Sequence, residues 1–137
     1  MHLIERFQNE LYSLALSLTY DEENSKKLAL DTFENTLEQT QGDFNKIKLA
    51  LYKSILKEIG TFSIKKNKCK NIDIVSLVKR RLSLFDKKAF VLKYEFGVSV
   101  EDICYILDAK LLKVKKSLLL SVKKVAKKME EDKNEVR

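Results

Sequence analysis

The sequence predicts an all-α protein, and three observations carry that prediction. Proline is absent and glycine occurs only 3 times in 137 residues, while Leu, Lys, Glu and Ile recur throughout, so helix is favoured nearly everywhere and sheet is not. Apolar residues return at steps of three and four along successive stretches, the period of one helix face. Capping residues and glycines stand where those stretches should start and stop. With 45% apolar residues the chain can build a core, and its length suits one ordinary domain or two very small ones.

The first helix is expected over Leu3 to Thr19, where Leu3, Phe7, Leu11, Leu14 and Leu18 line one side. Tyr20-Asp21 interrupts it. Asp21 can cap a second helix whose first turn sets Glu22 and Glu23 against the positive end of the helix dipole. That helix runs through Leu30, Phe33 and Leu37 to Gly42. Asp43 can cap a third, in which Phe44, Ile47, Leu51, Ile55 and Ile59 form a regular stripe closed by Gly60. Three helices with short connections predict a bundle over residues 1–60. From Thr61 to Asn71 the period is lost and lysines accumulate, which reads as a linker over residues 61–71.

A second unit is expected over residues 72–137. Ile72 to Arg81 predicts a short helix using Val75, Val78 and Leu82. Two capping boxes follow, Ser83-Leu-Phe-Asp86 and Ser99-Val-Glu-Asp102, each a hydroxyl with a carboxylate three positions later. The segment after the first carries Phe90, Val91 and Tyr94 and stops at Gly97. The segment after the second places Val100, Ile103, Cys104 and Leu107 on one stripe. Beyond Asp108-Ala109-Lys110, a longer helix is expected from Leu111 to Met129, with a polar tail that frays. At about 100° per residue its buried side holds Val114, Leu118, Val122 and Val125, which puts Leu112, Lys116, Leu119 and Lys123 opposite. A short helix, a tight turn and a lysine-rich helix is the order of a helix-turn-helix.

Charge divides along the chain. Residues 1–63 carry 7 basic and 10 acidic side chains, a net of −3, whereas residues 64–137 carry 20 and 10, a net of +10. The basic half attracts phosphate and equally suits an acidic protein surface. Cys69 and Cys104 stand far apart with no CxxC and no histidine nearby, so neither a zinc site nor a redox pair is indicated, and two reduced thiols of a cytoplasmic protein are expected. No apolar run approaches the roughly twenty residues of a membrane span, and the N-terminus, with His2, Glu5 and Arg6, does not read as a signal peptide. No carboxylate pair stands near a nucleophile or a glycine-rich phosphate loop. No catalytic residue, metal or cofactor is expected, and the chain does not read as an enzyme.

Leu92-Lys-Tyr-Glu-Phe-Gly-Val-Ser-Val-Glu-Asp-Ile-Cys-Tyr-Ile-Leu107, continued without a gap through Val114, Lys115, Leu118, Lys123 and Lys124, resembles the fourth conserved region of bacterial sigma-70 family factors, especially the small extracytoplasmic-function type. Leu11-Tyr-Ser-Leu-Ala-Leu-Ser-Leu18, Asp21-Glu-Glu, Leu28-Ala-Leu-Asp-Thr-Phe33 and Leu51-Tyr-Lys-Ser-Ile55 resemble the second. The resemblance implies two small helical domains joined by a short basic linker. It also implies a non-catalytic adaptor that binds RNA polymerase core and directs initiation at chosen promoters. Asp31, Thr32 and Phe33 match the surface that grips the polymerase. Tyr52, Lys53 and Lys57 fall where stacked aromatics and cations hold the melted strand. Lys113, Lys115, Lys116, Ser117, Lys123 and Lys124 fall on the helix that meets promoter DNA, and an anti-sigma protein is a further implied partner.

The departures from the family are specific. Lys27 stands where an acidic residue is usual, and tryptophans usual at Leu37 and near Leu49 and Ala50 are missing. Leu112, Leu119 and Leu120 replace small, polar or basic residues on the DNA-facing helix. Leucine meets a thymine methyl but makes no hydrogen bond to a base edge. The lysines can hold phosphates, which gives register rather than sequence discrimination. An exposed apolar patch marks a protein partner, so Leu112, Leu119 and Leu120 are candidate contacts for an anti-sigma protein. Two other readings stay open: a helix-turn-helix regulator that does not bind polymerase, and a sigma-derived protein-interaction module.

Overall fold

The computed structural model describes residues 2–39, 43–59 and 81–135. Every regular element among them is helical, as the composition predicts: α1 His2–Thr19, α2 Glu22–Gln39, α3 Phe44–Ile59, α4 Leu84–Phe90 continued by a π-helical turn Val91–Glu95, α5 Val100–Leu107 and α6 Leu111–Glu135. The expected linker over 61–71, residues 72–80 of the next expected helix, and Gly42 and Gly60 lie outside the described residues, as do the side chains of Leu3 and Leu37. The helices form two compact units, the first containing α1, α2 and α3, the second α4, α6 and most of α5.

In the first unit Leu11, Leu14, Ala15 and Leu18 of α1 meet Leu28, Ala29 and Phe33 of α2 and Leu51, Ile55, Leu56 and Ile59 of α3 in one core. The corner between α1 and α2 is built from hydroxyls. Thr19 donates to the Ala15 carbonyl at 2.9 Å and shares a 2.9 Å hydrogen bond with buried Ser25, while Asp21 accepts from the Asn24 amide at 3.1 Å as the cap of α2. Tyr20 is thereby held at φ 57, a left-handed conformation that costs a non-glycine residue about 1–2 kcal/mol. The inward side of α2 differs from the one its large apolar residues predict. Leu30 is 50% exposed, and Ser25, Thr32 and Thr36 join Leu28, Ala29 and Phe33 on the buried face.

In the second unit both predicted caps form: Ser83 Oγ accepts from the Asp86 amide and Ser99 Oγ from the Asp102 amide, each at 3.2 Å. The Asp86 carboxylate accepts a hydrogen bond from the Ser117 hydroxyl, which ties the first turn of α4 to the middle of α6. Past Phe90 the helix widens. The Phe96 amide reaches the Val91 carbonyl five residues back, and the Val98 amide reaches Leu92 six back, around Gly97 at φ 65. That is a glycine cap enlarged by the π-turn. Helix α5 ends on Asp108 at φ 51 with the Ala109 amide on the Cys104 carbonyl, a Schellman closure.

Helix α6 differs from expectation twice. It continues past Met129 to Glu135, since that stretch contains good helix formers and no breaker, and Lys128 meets Glu131 across one turn at 4.0 Å. Its buried face is Val114, Ser117, Leu118 and Ser121, whereas Val122 is 39% exposed. Ser121 is fully enclosed and returns its hydroxyl to the Ser117 carbonyl at 2.8 Å. Two serines, satisfied within the unit, therefore occupy the packed surface that a purely apolar periodicity assigned to a valine.

Candidate protein and nucleic-acid interface

The α6 surface carries most of the residues singled out by the sequence, and the fold sorts them into separate groups. Lys115, Lys116 and Lys123 are exposed on the side shared by Leu112 and Leu119. Lys124 lies elsewhere: with Arg81, Lys127, Lys128 and Glu131 it lines a groove of about 300 Å³. Lys113 is drawn back onto α4, its ammonium 4.4 Å from the Phe85 ring centre, the geometry of a cation–π contact. Ser117 does not reach the surface, being 4% exposed and bonded to Asp86, so its role is to hold α6 on α4 and not to touch phosphate. Leu112 at 64%, Leu119 at 57% and Leu120 at 53% are exposed as expected, and Leu111, Val122 and Met129 join them.

The second group lies between α2 and α3. Lys27, Asp31 and Asn35, spaced i, i+4, i+8 on α2, face Ser54 and Glu58, spaced i, i+4 on α3, across a cleft of about 330 Å³ with Leu28 and Thr32 on its walls. Of the three residues expected to meet the polymerase, Asp31 alone is on the surface. Thr32 is buried with its hydroxyl lacking a partner, and Phe33 is part of the core. Lys27 was marked in the sequence as a reversed charge in this segment, while Asn35 was not assigned to the site; its four-residue spacing from Asp31 was the signal that could have found it.

The expected single-strand contact on α3 changes in the same way. Tyr52 is 2% exposed, and its hydroxyl donates to Glu10 Oε2 at 3.1 Å, where Arg6 also meets the Glu10 carboxylate at 3.6 Å. Burial, reinforced by the Glu10 carboxylate, raises the tyrosine pKa far above its usual value, so the phenol stays a neutral donor. A ring so placed is not free to stack on a base. Lys53 is half-buried and Lys57 exposed. The aromatic that does reach the surface on this helix is Phe44, stacked on Phe7 of α1 with ring centres 4.9 Å apart. It looked like core from the sequence because it continues the stripe of Ile47 and Leu51.

No protein-family model matches the chain, and no curated protein does. A solved structure does: the sigma factor RpoE of Bartonella quintana, determined in complex with the anti-sigma factor NepR, is 16% identical and superposes with a TM-score of 0.74 over 93% of this chain and 94% of that one. The chain therefore has the all-helical fold of a sigma factor of that kind. Among the described residues, no helix is long and apolar enough to cross a membrane.

Proposed function

We propose that this chain is a cytoplasmic, non-catalytic sigma factor that binds RNA polymerase core and directs initiation at particular promoters. The observation that carries the reading is the fold: nearly the whole chain follows a sigma factor, and the basic half of the sequence coincides with the unit that holds the proposed DNA-facing helix. In this reading residues 1–60 form the polymerase-binding domain, 61–71 the linker and 72–137 a helix-turn-helix domain with α5 and α6 as its two helices. The α2–α3 cleft, with Asp31, Lys27 and Asn35 on its rim, contacts the polymerase. Lys115, Lys116 and Lys123 engage DNA phosphates, which hold register without reading bases. The similar chain was solved with an anti-sigma factor, and a protein of that role is proposed to restrain this one too.

The test is co-elution of the full chain with bacterial RNA polymerase core. Stoichiometric binding is expected, with clear weakening in Asp31→Lys, whose side chain is exposed, and no loss of helical content. Phe33→Ala is a poor probe because it opens the core. Absence of binding by the wild-type chain would sink the reading. One observation favours a regulator without polymerase binding: Lys27, where the family carries an acid, shares the cleft with Asp31. That reading predicts duplex binding at low salt with no binding to core, and a chain that binds neither is an interaction module.

A further inference from the structure

Helix α6 presents a stripe of apolar side chains that are exposed. Leu111, Leu112, Leu119, Val122 and Met129 are between 39% and 64% exposed. At about 100° per residue they fall within an arc of about 100°, and at 1.5 Å per residue they extend along about 27 Å of the helix. One border of the arc is the packed face of Leu118 and Val125. The other border is a row of exposed lysines, Lys116, Lys123 and Lys127, and exposed Lys115 stands inside the stripe between Leu111 and Leu119. Leu120 lies on the far side of the lysine row, about 100° from Leu119. The leucines of α6 thus belong to two surfaces.

We propose that this stripe is the docking face for an acidic amphipathic helix of a protein partner, and that the partner and DNA exclude one another there. The inference deepens the preceding section by giving the restraining partner a site and a chemistry, and it rests on that section only for the identity of the competing DNA. Helical spacing of the apolar positions fits a helix laid alongside, which offers anchors at i, i+3, i+4 and i+7. Charge decides what kind of helix. A partner seated on the leucines must pass Lys115 and flank Lys116 and Lys123, so carboxylates on its edges are paired while a basic or neutral edge leaves three ammonium groups unanswered. The same charge disfavours a second copy of α6, whose own lysine row would face this one in a two-fold pair. Because Lys115, Lys116 and Lys123 are also the proposed phosphate contacts, the two ligands share cations and compete.

The probe is a synthetic helical peptide of about 20 residues with leucine at a and d and glutamate at e and g, titrated into the full-length chain by fluorescence anisotropy. A peptide of identical composition with its leucines scattered around the helix is the control. The patterned peptide is expected to bind and the scattered one not. Leu112→Ser and Leu119→Ser should each lower affinity about tenfold, the worth of one buried leucine, with unchanged circular dichroism because both side chains are exposed. Lys115→Glu with Lys116→Glu should weaken the peptide similarly, and an unlabelled DNA duplex should displace it at low salt. Leu120→Ser should stay within about twofold, as a single exposed leucine off the interface does.

Equal binding of the two peptides, or leucine variants that bind like wild type, would overturn the proposal. So would a concentration-dependent dimer abolished by Leu119→Ser, which would make a second copy the occupant. Phosphatidylglycerol vesicles captured through Leu112 and Leu119 by a chain that ignores the peptide would make it a lipid surface. Co-elution with core polymerase, measured on the same samples, fails independently: it tests the sigma reading and leaves the stripe untouched.

Discussion

Helices α3 and α6 are written in the same alphabet, aliphatic residues on a lysine-bearing helix, and the fold treats them in opposite ways. Leu51, Tyr52, Ile55, Leu56 and Ile59 of α3 are at most 2% exposed, while Leu112, Leu119 and Leu120 of α6 are each more than half exposed. The difference lies in their neighbours. Helix α3 packs against both α1 and α2, so two directions of its surface are covered. Helix α6 lies on α4 through Val114, Ser117, Leu118 and Ser121, and its remaining leucines stay exposed. Apolar content sets how much a helix has to bury, and the packing around it sets how much it does bury. The excess on α6 is what makes it a surface for other molecules.

That contrast can be broken most forcefully at Leu51. Leu51→Ala should cost about 2–5 kcal/mol by urea denaturation, the range for an enclosed leucine left as a cavity. A smaller loss, comparable with that of an exposed leucine, would mean that α3 is not sandwiched as described. Next in size is Asp86→Ala, which strips the buried Ser117 hydroxyl of its acceptor and should cost about 1–3 kcal/mol. The Ser117→Ala, Asp86→Ala double variant should cost less than the sum of the singles, and strict additivity would show that the bond does not fasten α6 to α4.

Tyr52→Phe should cost about 1 kcal/mol at neutral pH, the value of one hydrogen bond, and it should also change the pH response. Burial and Glu10 raise the folded-state pKa, so the phenol's contribution is complete below the unfolded tyrosine value of about 10. Above it the unfolded chain ionises first, and stability falls as pH rises toward the folded value. Denaturation midpoints above pH 10 should therefore decline more steeply for wild type than for the phenylalanine variant, and parallel curves would contradict the buried phenol. The smallest effect belongs to Leu119→Ser, within about 0.5 kcal/mol of wild type as a surface change. A loss comparable with that of Leu51→Ala would show that the stripe on α6 is already covered.

Much of the architecture was legible because it depends on neighbours in sequence. Ser83, Ser99, Asp21 and Asp43 cap helices through amides three residues on, and Gly97 closes one through its left-handed backbone, all local relations that spacing reveals. Asp108 and Tyr20 adopt the same conformation without being glycine; the first follows from aspartate's tolerance of that region, while the second is imposed by the hydroxyl network around Thr19. The site was legible only in part. Asp31, Lys115, Lys116 and Lys123 reach the surface as expected, but Thr32, Phe33, Tyr52 and Ser117 do not. Thr32 follows exposed Asp31 and Ser117 follows exposed Lys116, and one residue along a helix is about 100° of rotation. A motif match finds the segment and cannot by itself find the side.

By itself the sequence determined the helical class, the helix starts at Asp21, Asp43, Ser83 and Ser99, and the concentration of positive charge in the second half, since these follow from backbone preference, local hydrogen bonding and composition. Tertiary structure alone decided which polar residues join each buried face and which apolar ones stay outside it. Buried Ser25, Thr32 and Thr36 on α2 and Ser117 and Ser121 on α6 took inward positions while Leu30 and Val122 stayed exposed, and the hydroxyls of Ser25, Ser117 and Ser121 are bonded within the fold.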